Sequence, residues 1–558
     1  MESRHTPIGP SVVLLLALVI GGWFLQQGLS QGRNGDQEAR LFGEVVDYIT
    51  DRYVDEVNRE DLYEYAIDGI LEQLGDPNTS LLNTSAYEDF RIQTEGDYGG
   101  VGLQIADRDD YITVISPLPG TPGSRAGIRA GDLIVGVGDE SARGWSAQQA
   151  VQVLRGAPGS SVEVTIERPG IEAPIAFTLT RERVQLRSVP FSMLLDGSVA
   201  YIPLRLFSEV STREVRAAAD SLREEGATSI VLDLRGNPGG VLDQGVGVTD
   251  LFLDRGASVV ETRGEQGGPN GILRGSTADR YEGMPIVVLV DRGSASASEI
   301  VAGALQDYDR ALLVGASTFG KGSVQSLFNL TGGNVLKLTT ARWYTPLGRS
   351  IERPASRLDR DEPADSGEEE NLAITVMGRY AFPPDTIGRP TVTSTAGRDL
   401  YGGGGIVPDV LVSVDTLFTD EQAAVRVLFQ EGAAYNVGLF DYAVRYLQNN
   451  QGVGIDFEVG EAELAELFDQ LQAEHGLSME RETLERAARY VGLDLEQEIA
   501  LQGWGELGEF QRRIPYDNPL QTALNLLRMA DSQEDLFSRA SWSPTARSQA
   551  IFATGIGR

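Results

Sequence analysis

Three short apolar runs restrict this chain more than any other feature: Val199-Ala200-Tyr201-Ile202, Ser229-Ile230-Val231-Leu232-Asp233-Leu234 and Pro285-Ile286-Val287-Val288-Leu289-Val290. Each reads as a buried strand, and an amphipathic helix, Thr212 to Glu225, lies between the first two. Strands alternating with such helices predict a layered α/β core. Sites in sheets of this kind gather just past the strand C-termini. Two segments fall there: Asp233-Leu234-Arg235-Gly236-Asn237-Pro238-Gly239-Gly240, and Asp291-Arg292-Gly293-Ser294-Ala295-Ser296-Ala297-Ser298-Glu299-Ile300.

At 558 residues the chain exceeds one core, and about three to five domains are expected. Its 47 basic residues face 81 acidic ones, a net charge of −34. No basic stripe is left to hold phosphates, which argues against nucleic acid as a partner. There is no cysteine, and the two histidines are His5 and His475. Cys-His and most Ser-His-Asp arrangements are therefore closed to the chain. The carboxylates do not cluster at ligand spacing, so neither a metal nor an organic cofactor is implied. Near the start, Ile8 to Leu25 is almost wholly apolar, and no charge follows His5 until Arg33. About 20 apolar residues cross a bilayer. Residues 1–35 are accordingly expected to be an uncleaved single-pass membrane anchor, with the bulk of the chain in the periplasm or another extracytoplasmic part of the cell envelope.

From Glu38 to Arg91 apolar residues recur at helical spacing (Leu41, Val45, Val46, Ile49, then Tyr65, Ile67, Ile70, Leu71, Leu74) and stop at Gly75-Asp76-Pro77. A small helical segment over 36–97 follows from that spacing. Period-two alternation then marks Tyr111-Ile112-Thr113-Val114-Ile115 and Ser161-Val162-Glu163-Val164-Thr165-Ile166, with a helix-like Ser146 to Leu154 between them. Residues 98–184 resemble a PDZ domain, with Gly99, Gly100, Val101, Gly102 and Leu103 in the place of its carboxylate-binding loop. Backbone N–H groups freed by glycines can cradle a terminal carboxylate while the adjacent strand edge pairs with the peptide. Residues 353–398, with Glu368-Glu369-Glu370 and scattered prolines, read as a flexible insertion within a core of residues 185–415. Residues 416–558 read as an acidic helical C-terminal domain. Its apolar faces suit an ordinary core or contact with a second copy or an adaptor.

Lys321 is one of two lysines beside 45 arginines. An arginine is always charged, whereas a lysine can be desolvated until it sheds its proton and becomes a base. Lys321 sits in the glycine-bracketed turn Phe319-Gly320-Lys321-Gly322-Ser323. Lys337, in the alternating run Asn334 to Thr340, reads instead as the solvated face of a strand. With histidine so scarce, a serine hydrolase built on this chain needs a lysine base. Ser294, Ser296 and Ser298 follow the third apolar run and precede the helical stretch Ile300 to Leu305. A serine at such a turn projects into a cleft, where N–H groups of the first helical turn can hold an oxyanion. The competing reading is the capping-box spacing Ser296-Ala297-Ser298-Glu299, in which the serine only closes the helix.

Taken together, SASASEIVAGALQDYDRALLVGASTFGKGSVQ from Ser294, DLRGNPGG from Asp233 and the PDZ-like region resemble the carboxyl-terminal processing peptidases, serine endopeptidases with a Ser-Lys dyad. The resemblance spans roughly residues 40 to 415. It implies a mixed α/β multidomain fold, with a crotonase-like ββα protease core, an inserted PDZ domain and an N-terminal helical segment; the 353–398 insertion and the helical C-terminal domain depart from the shared pattern. It also implies that Ser296 is the nucleophile, Lys321 the general base and Gln325, one helical turn beyond, the group orienting the lysine. Gly240 and Ala297 N–H would form the oxyanion hole, with Gly239 the nearest rival to Gly240. The expected activity is endoproteolysis of polypeptides held by their C-termini, with Lys321 kept neutral by burial. Expected partners are such polypeptides, the membrane through the N-terminal segment and, through the C-terminal domain, a second copy or an adaptor. The alternative is a catalytically inactive membrane-tethered PDZ scaffold, against which intact Ser296, Lys321 and Gln325 argue.

Overall fold

The computed structural model describes residues 37–108, 110–168, 171, 173–265, 268–353, 373–374, 380–381, 386, 388–412 and 417–540. The expected anchor at 1–35 and most of the 353–398 insertion lie outside these residues. Among the described residues no helix is long and apolar enough to cross a membrane. The chain forms two compact units: residues up to Asn83 with Gln325–Thr339, and Thr84–Val324 with Thr340 onward.

In the first unit, helices cover 37–52 and Arg59–Leu74, as the apolar spacing predicts. Asn58 caps the second, its side chain accepting from Glu60 N at 3.1 Å. Gly75 ends that helix at φ 62°, the left-handed position that glycine takes without a steric cost. Strand Ser80–Leu82 runs antiparallel to residues 335–337, with Ser80 opposite Lys337, so Lys337 lies on a strand as its alternation predicts.

The second unit is built on a six-stranded sheet whose order follows the chain: β1 (Met193–Leu195), β2 (Val199–Pro203), β3 (Ser229–Asp233), β4 (Ile286–Val290), β5 (Leu312–Gly315) and β6 (Val410–Leu411). β1 is antiparallel to β2, and every later neighbour is parallel. Parallel neighbours require crossovers, and these supply helix Ser211–Glu224 and helix α1 (Ala297–Asp307). Every residue of β2, β3 and β4 is buried, as in a sheet covered on both faces. Alternate side chains point to opposite faces. One set, with Ile202, Ile230, Leu232 and Val288, packs against Val215, Leu222, Ile300 and Leu305. The other set, with Tyr201, Val231, Val287 and Leu289, packs against Phe510, Leu520, Leu524, Leu527, Leu536 and Phe537. This second layer comes from the end of the chain, chiefly α2 (Asn518–Met529) and α3 (Gln533–Arg539). Phe510 stacks on Tyr201 with ring centroids 4.3 Å apart. Burial of each such side chain contributes about 1.5–3 kcal/mol, so the final helices are a layer of the core. The preceding helices pack around their own apolar centre, including Leu428, Leu467, Phe468, Leu471, Leu495 and Ile499.

The PDZ region is inserted at a single point. Strand Asp97–Gly100 pairs antiparallel with Glu182–Gln185, which brings the two ends of the insertion together. Between them lies an antiparallel sheet in the order Leu103–Arg108, Tyr111–Pro117, Leu133–Val137, Ser161–Glu167, Ile175–Thr180. Helix Ala147–Leu154 starts at a capping box in which Ser146 and Gln149 exchange backbone-to-side-chain bonds. Leu103–Arg108 is an edge strand, the position at which an extended peptide can be added to a sheet.

Candidate active site

β3 and β4 end side by side, Asp233 opposite Leu289, and the loops beyond them are sewn together. Gly236 N donates to Asp291 Oδ1 at 2.8 Å, and Ala295 N to Asn237 O at 3.0 Å. Ser294 Oγ donates to Leu234 O at 2.8 Å and Ser298 Oγ to Asn237 O at 2.9 Å. Those two hydroxyls are buried struts. Ser296 between them is half-buried, at φ 54° and ψ −113°, immediately before α1. Such a backbone costs a non-glycine residue about 1–3 kcal/mol and is found where function requires it. The capping spacing is used, though not by the hydroxyl. Glu299 N donates to the Ser296 carbonyl at 2.9 Å, Ser296 N donates to Glu299 Oε2 at 2.8 Å, and the Ser296 side chain takes no part in the cap.

Glu299, fully buried, joins this turn to the lysine loop. Its Oε2 accepts from Lys321 N at 3.0 Å as well as from Ser296 N at 2.8 Å. Its Oε1 accepts from Gly320 N at 2.7 Å and from Thr318 Oγ1 at 2.6 Å. Burial pushes the Glu299 carboxyl up to about 7, against the pull of these four donors. The loop is braced from its other side by Arg353, whose Nε donates to Phe319 O at 2.8 Å and whose Nη2 donates to Thr318 O at 3.1 Å. Trp343 Nε1 donates to Lys321 O at 3.1 Å, and Gly322 N donates to Glu352 Oε2 at 2.9 Å. Lys321 itself is half-buried.

Hydrogen bonds set the two glycines apart. Gly239 N donates to Asn237 Oδ1 at 2.9 Å and is occupied. Phe207 N donates to Gly239 O at 2.9 Å and Val241 N to Phe207 O at 2.8 Å. In a parallel bridge of this kind the N–H of the middle residue, Gly240, points away from its partner. A Cβ on Gly239 would lie 2.8 Å from Ser296 Cβ and 2.9 Å from Ala297 N, and one on Gly240 would lie 2.1 Å from Phe207 O. Both positions therefore demand glycine, and Gly239 lies directly against the serine turn. Ala297 opens α1, where backbone N–H groups have no intrahelical acceptor.

Two expectations shift. Gln325 lies in the first unit on strand Ser323–Asn329, not a helical turn past the lysine, and its amide donates to Thr339 Oγ1 at 3.3 Å. The strand wins because Gln325 sits in a ladder beside strand Val335–Tyr344. In the PDZ region, Gly99 and Gly100 are ladder residues opposite Arg183 and Glu182. A Cβ on Gly99 would lie 2.2 Å from Gly156 O, so this glycine serves close packing. Val101, Gly102 and Leu103 form the turn into the edge strand. The carbonyls of Val101 and Gly102 are taken by Gly123 N at 2.8 Å and Leu118 N at 2.9 Å. Glu299 was visible in the sequence only as a capping partner. It sits in helix Ala297–Asp307, every residue of which is buried, and a buried carboxylate needs donors of its own. A cavity of about 400 Å³ is lined by Leu242, two residues past Gly240, by Val324, three past Lys321, and by Thr262, Ile272, Leu273, Asp243 and Asn270.

Comparison with known proteins matches three stretches of the chain. Residues 198–361 match peptidase family S41, residues 113–168 match the PDZ domain, and residues 25–86 match the activating protease CtpB N-terminal domain. The carboxy-terminal-processing protease of Bartonella bacilliformis is 37% identical over 326 residues, covering 57% of this chain and 74% of that protein. The carboxy-terminal processing protease CtpA of Bacillus subtilis is 31% identical over 342 residues, covering 61% of this chain and 72% of that protein. Among solved structures, the photosystem II D1 C-terminal processing protease aligns with 56% of this chain and 89% of its own, at 32% identity and a TM-score of 0.32. With the S41 and PDZ matches lying on the α/β core and the inserted sheet described above, the chain belongs to the carboxy-terminal processing protease family and is a serine-type peptidase.

Proposed function

We propose that this protein hydrolyses peptide bonds in polypeptides whose C-termini its PDZ domain holds, with Ser296 as nucleophile and Lys321 as general base. The observation that carries this reading is the shared carboxylate: one oxygen of Glu299 lies 2.8 Å from Ser296 N and 3.0 Å from Lys321 N. Neutral Lys321 takes the proton from Ser296 Oγ as that oxygen attacks the scissile carbonyl carbon, and Gly240 and Ala297 N–H receive the oxyanion. The lysine ammonium then gives its proton to the leaving amine. Water attacks the acyl ester with Lys321 again as base, releasing the new carboxyl terminus and the serine. The cavity beside Leu242 and Val324 is suited to an apolar side chain next to the scissile bond. The test is cleavage of an unstructured polypeptide with an apolar C-terminus by residues 36–558, alongside Ser296→Ala and Lys321→Ala. Binding of the peptide with no cleavage by the unmodified protein would favour the scaffold instead.

The turn Val101-Gly102-Leu103 is read as the carboxylate cradle. Amidating the substrate's C-terminus is then expected to raise KM about tenfold or more with kcat unchanged, through loss of charge-assisted bonds. Equal KM for acid and amide would remove the PDZ domain from substrate capture. The apolar run Ile8 to Leu25 supports a membrane-held, extracytoplasmic enzyme. Deleting residues 1–35 should move the protein from the membrane pellet to the soluble fraction, and its retention in the pellet would count against the anchor.

A further inference from the structure

The turn that carries Gly239 and Gly240 starts at Arg235, and the guanidinium of that residue is gripped from two sides. Its Nε and Nη2 donate to Asp233 Oδ1 and Oδ2 at 2.9 and 2.7 Å. Its Nη1 and Nη2 donate to Asp517 Oδ1 and Oδ2 at 2.6 and 2.8 Å. Asp233 ends β3, whereas Asp517 lies 282 residues beyond Arg235, immediately before α2. The side chains are 13% (Arg235), 1% (Asp233) and 4% (Asp517) exposed. The fork is matched to two carboxylates at once, which a lysine cannot reproduce.

A buried arginine between two carboxylates is a weak source of stability, since apolar residues of similar volume do as well or better. It does fix geometry. Arg235 N also donates to Asp233 Oδ1 at 3.0 Å, and Gly236 N to Asp291 Oδ1 at 2.8 Å, so the side chain and backbone of the turn are pinned together. Tyr201 OH, donating to Asp233 Oδ2 at 2.7 Å, completes the mount.

We propose that Asp517 is a positioning residue for the peptidase reaction: by clamping Arg235 it sets the turn from Arg235 to Gly240 and so the direction of the Gly240 N–H. This inference rests on the reading of Gly240 and Ala297 as the oxyanion donors. Under it, the end of the chain completes the catalytic centre.

Asp517 also caps α2, accepting from Leu520 N at 3.1 Å. Asparagine caps a helix as well as aspartate, so Asp517→Asn keeps the helix start and gives up the ionic fork. Leu524→Ala thins the same apolar layer and serves as the control for lost stability. The full chain and each variant are to be compared in peptide kinetics and in inhibition by a peptidyl boronate, which forms a tetrahedral adduct on a nucleophilic serine. Asp517→Asn is expected to lower kcat about tenfold or more, leave KM within about twofold and weaken the boronate by a similar factor. Asp517→Glu should recover part of the loss. Leu524→Ala should lower the thermal midpoint and leave kcat within about twofold. Unchanged kcat in Asp517→Asn, or an equal loss in Leu524→Ala, overturns the proposal. If Asp517→Asn does not fold, Asp517→Ser, which keeps a helix-capping oxygen and removes the carboxylate, carries the test: lower kcat at constant KM supports the proposal and wild-type kcat overturns it. A wild-type protein that forms no adduct at Ser296 refutes the site reading itself, an outcome distinct from the others.

Discussion

Lys321→Arg is expected to leave peptide cleavage at background although the positive charge is kept. The reaction needs a group that can shed its proton at neutral pH and take one from Ser296, and a guanidinium does not. Ser296→Ala should fall equally far, by about 10⁴-fold or more in kcat. Under the proposed mechanism the two residues act as a unit, so the double variant should be no worse than either single one. Folding should survive these changes. The lysine loop is held by backbone groups, Lys321 N on Glu299 and Lys321 O under Trp343, and these bonds do not depend on the side chain. Initial rates on a fluorogenic peptide, with urea unfolding as the control, check the prediction. Wild-type cleavage by Lys321→Arg would remove the lysine from the role of base.

Glu299→Ala should cost both fold and function. It leaves Ser296 N, Thr318 Oγ1, Gly320 N and Lys321 N without their acceptor, the second and third of them buried and the other two partly buried. Each unsatisfied group costs about 1–3 kcal/mol. Glu299→Gln is milder and more informative. Because burial raises the carboxyl to about 7 from an ordinary 4.5, the protonated form is favoured in the folded chain. The associated stability is fully present below about 4.5 and is lost as pH rises through about 7. At about 1.4 kcal/mol per pH unit it amounts to about 3 kcal/mol. Activity should run the other way. Only the carboxylate accepts from all four donors, so kcat should drop as pH falls through about 7. Opposed pH trends in stability and turnover, both flattened in Glu299→Gln, are the expected signature. Identical pH profiles for the variant and the wild type would sink the assignment.

Where a residue's local context dictates its structure, the sequence was readable. β2, β3 and β4 were visible as apolar runs because both of their faces are buried, and helix Ser211–Glu224 because one face is. Lys321 stood out because lysine is scarce in this chain, and Ser296 because it lies between an apolar strand and a helix. Partners distant in sequence did not show. Nothing near Asp517 points to Arg235, and nothing near Arg353 points to the carbonyl of Phe319. Gly99 was read as part of a loop because a glycine needed for close packing against Gly156 O looks the same in sequence as one needed for a turn. Gln325 came from the resemblance, and only the helical turn attached to it gives way, to the ladder beside Val335–Tyr344.

The layer contributed by α2 and α3 has a bearing on how the enzyme is made. Translation delivers β1 to β5 by Gly315 and β6 by Leu411, while the side chains that cover one face of that sheet begin at Phe510 and run to Ala540. At about 5–20 residues per second, the 195 residues from Gly315 to Phe510 leave that apolar face bare for about 10–40 s. During that interval the face is a target for chaperones and for neighbouring chains. A ribosome-bound or prematurely terminated product has Ser296 and Lys321 but an unfinished sandwich around them. Closure of the sandwich around the serine and the lysine therefore waits for residues 510–540, at least 189 positions downstream of both.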